Sequence, residues 1–297
     1  MVPRESATMQ PTEFRTPSPL RKALPGIFVH LMLVGGGALV LLPFFWMIST
    51  SLKYDYDAFQ IPPRWLPYDL RWQNYEAALF DYFNFGRALG NTLIITFFTL
   101  AGRLLFASLV AFGFARIPFV GRGALFILVL STLMVPQQVT IIPRYILFRE
   151  MEWLNTFLPL IIPAWTSAFF IFLLRQFIMT IPSELDDAAR IDGAGWFRIY
   201  WQIIMPQIRP ALAAVAIFSF LDTWNDFFEP LIFLRTPELH TLAVSLHYYS
   251  SAATAFTSPD TVVLMAGAVM VMIPPLLLFF FAQRIFIQGV VVSGIKG

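Results

Sequence analysis

The sequence predicts an all-α, polytopic membrane protein with six transmembrane helices and a cytoplasmic helix–turn–helix loop between spans four and five. Three observations lead there. Of the 297 residues, 58% are hydrophobic and only 13% charged, whereas soluble domains carry about a quarter charged residues. Six apolar runs are each long enough to cross about 30 Å of hydrocarbon at ~1.5 Å per residue. One charged, glycine-broken stretch, SELDDAARIDGAGWFRIYWQIIMP (Ser183 to Pro206), separates the fourth run from the fifth.

Composition also excludes. There are no cysteines, so disulfide frameworks and cysteine metal sites are ruled out. The net charge of +2 comes with no basic cluster large enough for phosphate binding, so nucleic acid is not an expected partner and membrane lipid is.

Residues 1–25 are polar and proline-bearing and read as a flexible tail preceding a membrane domain over 26–297. The first run, Gly26–Ser49, is too long for a signal-peptide core and no small-residue cleavage site follows, so it is expected to remain as span one. Tyr54–Arg87 comes next as an outer loop; its aromatics suggest a short helix at the interface, with a plain aromatic belt anchor the simpler reading. Spans two to four are expected near Leu89–Ala115, Gly123–Phe148 and Leu154–Ile181. Pro136, Pro143, Pro159 and Pro163 fall within the last two and predict kinks. The loop covers 182–206, and spans five and six Gln207–Leu234 and Val262–Gln283.

Lysine and arginine set the orientation. With the N-terminus inside, inner segments hold Arg4, Arg15, Arg21, Lys22, Arg116, Arg122, Arg190, Arg198, Arg284 and Lys296, while the outer ones mix seven basic residues with nine acidic ones. This bias favours both termini in the cytoplasm.

Within the charged stretch, Pro182 and Ser183 stop the fourth span and can cap a new helix, whose first turn carries Glu184 and Asp187 where the helix dipole favours negative charge. Leu185, Ala188, Ala189 and Asp192 recur at helical spacing, so one side is small and mostly apolar and allows close approach by another surface. Gly193 and Gly195 permit a sharp turn, and WFRIYWQIIMP resumes as an amphipathic piece. The shape reads as a docking knob; by composition alone an interfacial linker touching lipid headgroups fits equally well.

Spacing separates the two. The stretch resembles the cytoplasmic loop of ABC importer permeases, whose pattern is E-A-A, three residues, G, nine residues, I, one residue, L-P. Here Asp187-Ala188-Ala189 is followed by three residues and Gly193, then nine more to Ile203, with Met205 and Pro206 closing the pattern. Asp stands for Glu at 187 and Met for Leu at 205. FARIPFVGR (Phe114–Arg122), MVPQQVTIIPRYILF, FLDTWNDFFEPLIFL (Phe220–Leu234) and the closing AQRIFIQGVVVSGIKG are similar to segments of maltose-type carbohydrate permeases. TLAVSLHYY (Thr241–Tyr249) departs from the family in lacking the usual proline and glycine.

The resemblance implies a permease subunit of an ATP-binding-cassette importer for a sugar, an oligosaccharide or a glycerol-phosphate-type solute. It implies a second permease, two cytoplasmic ATPase subunits that bind ATP and Mg, an extracytoplasmic binding protein, and a prokaryotic cytoplasmic membrane. It assigns Asp187, Ala188, Ala189 and Gly193, with the surrounding Glu184, Asp192, Ile203 and Pro206, to coupling with the ATPase. In such systems this partner often contacts substrate little.

The residues themselves carry no enzyme chemistry. A P-loop needs a lysine followed by Ser or Thr; Lys22, Lys53 and Lys296 are not, so hydrolysis falls to another chain. His30, His240 and His247 are scattered and make no metal-ligand spacing. No cofactor of its own is expected.

Intramembrane charges remain. Arg103 lies near the middle of span two, while Asp222, Asp226 and Glu229 fall at i, i+4 and i+7 on span five and are expected on one helix face, with Trp224 and Asn225 nearby for sugar contact. Counted from the outer ends, Arg103 and Asp222 reach similar depths, ~20 Å by helix rise. A translocation-path lining and a structural ion pair both fit. The same carboxylates would suit an ion-coupled secondary transporter, the alternative to the importer; a structural subunit of a membrane enzyme complex is the third class. Neither rival needs the knob.

Overall fold

The computed structural model describes residues 19–82, 84–251 and 260–294. The described residues form helices joined by turns, without strands. In chain order the helices are α1 (Pro19–Ser51), α2 (Asp55–Ala58), α3 (Gln73–Ala77), α4 (Phe85–Gly102), α5 (Ser108–Arg116), α6 (Arg122–Ser131), α7 (Gln137–Glu150), α8 (Leu158–Ile161), α9 (Ala168–Met179), α10 (Glu184–Ile191), α11 (Trp196–Arg198), α12 (Met205–Gln207), α13 (Arg209–Trp224), α14 (Phe228–Phe233), α15 (Leu242–Ser251) and α16 (Thr261–Gly294).

Four segments are long and apolar enough to cross a membrane unaided: Val29–Ser51, Phe85–Arg116, Leu158–Met179 and Thr261–Gln283. Two bent pairs bring the number to six: Arg122–Met134 with Gln137–Glu150, at 101°, and Trp196–Gln207 with Arg209–Trp224, at 77°. Span three is therefore broken rather than kinked. Val135 and Pro136 are extended, and Pro136 precedes α7 instead of bending a continuous helix. Proline disfavours helix in the residue before it, which places the break at Val135. Pro159 and Pro163 likewise stand in the first turns of α8 and of a 3-10 turn, where a missing N–H costs nothing. Of these four prolines only Pro143 lies inside a helix.

Two further expectations change. Residues 19–25, taken from sequence as part of the tail, already belong to α1, while residues 1–18 lie outside the described residues. Span five is not one helix. α13 ends at Trp224, Asn225 to Phe227 break the chain, and α14 restarts at Phe228. Asp222, Asp226 and Glu229 thus sit on a helix end, in a break and on a second helix, not on one continuous face.

Buried side chains gather in clusters. At the α10 end, Phe112 of α5, Leu174 and Ile178 of α9, Tyr200 and Ile204 after α11, and Val215 of α13 form one buried cluster. At the opposite end, Ile95 of α4, Phe148 of α7, Leu160 and Ile161 of α8, and Phe233 of α14 form another. Lipid tails are as apolar as leucine, so close fit rather than exclusion from water holds such helices together. Gly102 shows how close. A Cβ there would lie 1.9 Å from the Trp165 ring, which stacks on Phe106 at 4.8 Å and donates its N–H to the Phe98 carbonyl at 3.1 Å.

The loop after α1 folds back on the helix end. Asn74 donates to the carbonyls of Ser51 and Lys53 at 2.9 and 2.8 Å. The Lys53 ammonium lies 4.1 Å above the Trp46 ring and donates to the Arg64 carbonyl at 2.6 Å. Trp65 meets Trp46 edge-on at 5.3 Å. Trp65 thus packs on the end of α1, whereas Tyr56, Phe59, Tyr68 and Trp72 of this loop stand exposed, and burial lowers the Lys53 pKa.

Candidate functional site

Two features stand out: the knob formed by α10 to α12 and a cavity bordered by α4, α7, α9, α13 and α14.

The knob has the expected outline. α10 ends in a Schellman motif: the Ala194 N–H donates to the Ala189 carbonyl at 2.9 Å and the Gly193 N–H to the Arg190 carbonyl at 3.0 Å. Gly193 takes the required left-handed conformation, φ +78°. Gly195 is extended, α11 begins at Trp196, and Ile199–Ile204 form a π segment leading to α12. Ser183, expected as a cap, makes no capping side-chain bond; its backbone is helical and its carbonyl accepts from Asp186 and Asp187.

Which faces point outward differs from the sequence reading. Glu184, Asp187, Ala188, Asp192, Gly193 and Pro206 are exposed, but Ala189 and Ile203 pack partly against the cluster beneath. The two alanines lie on different sides of α10. The most exposed apolar residues, ahead of Trp201 at 55% and Leu185 at 42%, are Ile191 and Phe197, at 87% and 74%. Sequence reasoning missed both, although an isoleucine at a helix end before a glycine turn is the signal that was there.

It also missed Asp186. This residue is 5% exposed, and its carboxylate lies 3.0 Å from the Arg116 Nε at the end of α5. Arg116 also donates from Nη2 to the Ile181 carbonyl at 2.7 Å. Burial pushes the Asp186 carboxyl above the usual range; Arg116 pulls it down and Asp187 pushes it up. The knob is thus pinned to span two and to the end of α9.

The cavity measures about 1020 Å³. Arg103 opens a π segment, Arg103–Ala107, that interrupts span two. Its Nη1 lies 2.7 Å from Asp222 Oδ2 and 3.1 Å from Ser219 Oγ, its Nε donates to the Ala164 carbonyl at 2.9 Å, and its guanidinium lies over the Phe170 ring. Arg103 is buried, while Asp222 opens onto the cavity with its side chain 62% exposed. Nearby, Arg144 of α7 grips Glu229 of α14 through both terminal guanidinium nitrogens, the Nη2–Oε2 contact being 3.1 Å. Asp226 accepts from the Glu229 backbone N–H at 3.3 Å. Asn225 lines the cavity with its amide turned to the Leu221 carbonyl.

Trp224, named from sequence as a sugar contact, faces elsewhere. It is buried, stacks on Phe220 and donates to the Val271 carbonyl of α16 at 3.2 Å. Its role is to seat α13 on α16.

A family model described as binding-protein-dependent transport system inner membrane component matches residues 77–292. The chain belongs to this family of membrane transport permeases. It is 38% identical over 208 residues to the arabinooligosaccharides transport system permease protein AraQ of Halalkalibacterium halodurans, covering 70% of this chain and 73% of that protein. The AraQ protein of Bacillus subtilis is 32% identical over 283 residues, covering 93% and 96%. The sn-glycerol-3-phosphate transport system permease protein UgpE of Yersinia enterocolitica is 32% identical over 236 residues, covering 78% and 84%. Among solved structures, a chain of a bacterial ABC transporter involved in the import of the acidic polysaccharide alginate shares the fold with a TM-score of 0.81 at 24% identity, covering 91% of this chain and 99% of that one.

Proposed function

We propose that the chain is one of two membrane-spanning subunits of an ABC importer that carries a sugar or oligosaccharide into a prokaryotic cytoplasm. The observation that carries this reading is the knob: a short helix, a left-handed glycine turn and a second helical piece, with Ile191 and Phe197 bare at its tip. An exposed apolar tip on a helix whose other exposed residues include Glu184, Asp187 and Arg190, with Asp192 following, suits a cleft on a soluble partner better than a lipid surface. That partner is a pair of ATPase subunits, which hold ATP and Mg; this chain needs no cofactor. The knob and both chain termini face the cytoplasm, and a binding protein delivers solute from the opposite side. The names of the relatives, arabinooligosaccharide and glycerol-phosphate permeases, support the substrate class.

The test is uptake by proteoliposomes holding this chain, its second permease and the ATPase, with binding protein added to the substrate side. Labelled oligosaccharide should accumulate only with ATP inside and binding protein outside. Uptake by this chain alone, driven by a proton or sodium gradient, would instead establish the secondary transporter.

A further inference from the structure

The importer reading leaves the charge of the solute open, since the relatives named above are permeases for arabinooligosaccharides and sn-glycerol 3-phosphate and the structural neighbour belongs to an importer of an acidic polysaccharide. For a chain that is an importer subunit, and resting on that reading, the cavity wall bears on the choice. Two arginines and three carboxylates line it: Arg103, Arg144, Asp222, Asp226 and Glu229, a net charge of −1.

Both guanidiniums are already paired with a carboxylate. Arg103 has only 8% of its side chain exposed, and its donors go to Asp222, Ser219 and the Ala164 carbonyl. Arg144 is 22% exposed and committed through both Nη atoms to Glu229. An anionic solute would have to break one of these pairs, and breaking a buried pair leaves an uncompensated charge behind. The carboxylates are less engaged. Asp222 spends one oxygen on Arg103 and shows most of its side chain to the cavity. Asp226 has no ion-pair partner among the described residues and accepts only the backbone N–H groups of Phe228 and Glu229 at the start of α14, which leaves lone pairs on its oxygens.

Carboxylate oxygens with spare lone pairs accept from hydroxyl groups and repel phosphate or carboxylate. The same wall presents aromatic faces: Phe169, Phe218 and Phe228 line it and are 46%, 41% and 42% exposed. Flat rings take up the C–H faces of a pyranose or furanose ring. Gln137 and Ser167 supply neutral polar groups.

We propose that the wall contributed by this chain selects a neutral, polyhydroxylated solute and turns away anions, with Asp222 and Asp226 as the selecting residues. The solute is then an uncharged saccharide rather than a uronic acid or a phosphorylated polyol. The absence of cysteine gives direct access to the cavity potential. In the assembled transporter, with cysteines of the other subunits replaced, Gln137→Cys is modified with a trimethylammonium-ethyl or a sulfonatoethyl methanethiosulfonate. After normalising to a free thiol in solution, the cationic reagent should react severalfold faster. Asp226→Asn and Asp222→Asn, each in that background, should bring the ratio toward one. Ser167→Cys serves as a second reporter if Gln137→Cys lowers assembly.

An anionic reagent that reacts as fast or faster overturns the proposal, as does a ratio unmoved by both Asn variants. ATP-driven uptake of a uronate oligosaccharide or of sn-glycerol 3-phosphate, in preference to a neutral oligosaccharide of similar size, would also overturn it while leaving the importer reading intact. Loss of ATP dependence would strike the importer reading and not the labelling result.

Discussion

Arg116→Met should detach the knob. The substitution keeps length and apolar bulk but removes the guanidinium beside Asp186. Both side chains of the pair are nearly buried, 10% and 8% exposed. Removing one member of a buried pair costs about 3–5 kcal/mol, and at 1.4 kcal/mol per tenfold the seated knob should open about two to three and a half powers of ten more often. Hydrogen exchange of the α10 amides in the detergent-solubilised protein reads this directly. The pH dependence has a definite sign. The seated Asp186 carboxyl has a raised pKa, so above the ordinary carboxylate value it binds protons more readily seated than free. Seating therefore weakens as pH rises through that window and strengthens as pH falls. Arg116 is the group holding the pKa down, so without it the window extends upward and acidification from neutral should restore protection to the variant more than to the parent. Arg116→Met with Asp186→Leu should be protected at every pH, because no charge is left buried. Parent-like protection in the single variant at neutral pH, or no recovery on acidification, would refute the pinning role of the pair.

Arg103→Leu leaves Asp222 unpaired at mid-span and should lower the yield of folded protein, while Arg103→Leu with Asp222→Leu recovers it; an intramembrane charge costs at least ~2.5–3.5 kcal/mol by insertion scales, and quantitative membrane-fraction blots measure the difference. Gly102→Ala places a methyl 1.9 Å from the Trp165 ring; overpacking of this kind costs about 1–3 kcal/mol, and the thermal midpoint in detergent should fall, with partial return in Gly102→Ala/Trp165→Leu. Ile191→Arg should leave membrane insertion and stability unchanged but abolish ATP-driven uptake, whereas Ala189→Arg, on the packed side of α10, should lower yield as well. Full uptake by Ile191→Arg would remove the knob from the coupling role.

The spans were legible because crossing hydrocarbon demands some twenty apolar residues in a row, a signal few other structures produce. The knob was legible because Gly193 has to follow the last helical turn in the left-handed region. The juxtaposition of Arg103 and Asp222 followed from counting depth along two helices. What failed was facing and continuity. Asp186 and Asp187 are chemically identical neighbours, and which of them is buried depends on which face of α10 meets Arg116 and the cluster beneath. Trp224 looked like a sugar platform because its partner, the Val271 carbonyl, lies 47 residues away. The break at Asn225 to Phe227 carries neither proline nor glycine, so helical spacing ran through it unchecked.

Those two breaks have a mechanical consequence. α7 follows the 101° corner after Met134, and α14 follows the interruption after Trp224. Each is a short rod hung from a joint, and left alone each would swing independently. The two-pronged grip of Arg144 on Glu229 fastens the rods together, with the Phe148 and Phe233 rings closing against each other at 5.3 Å beside it. On the other side of the cavity, Trp165 locks span four to Gly102 of span two. The clasp therefore ties the two rods into one unit beside the cavity, so that a displacement of either carries the other with it.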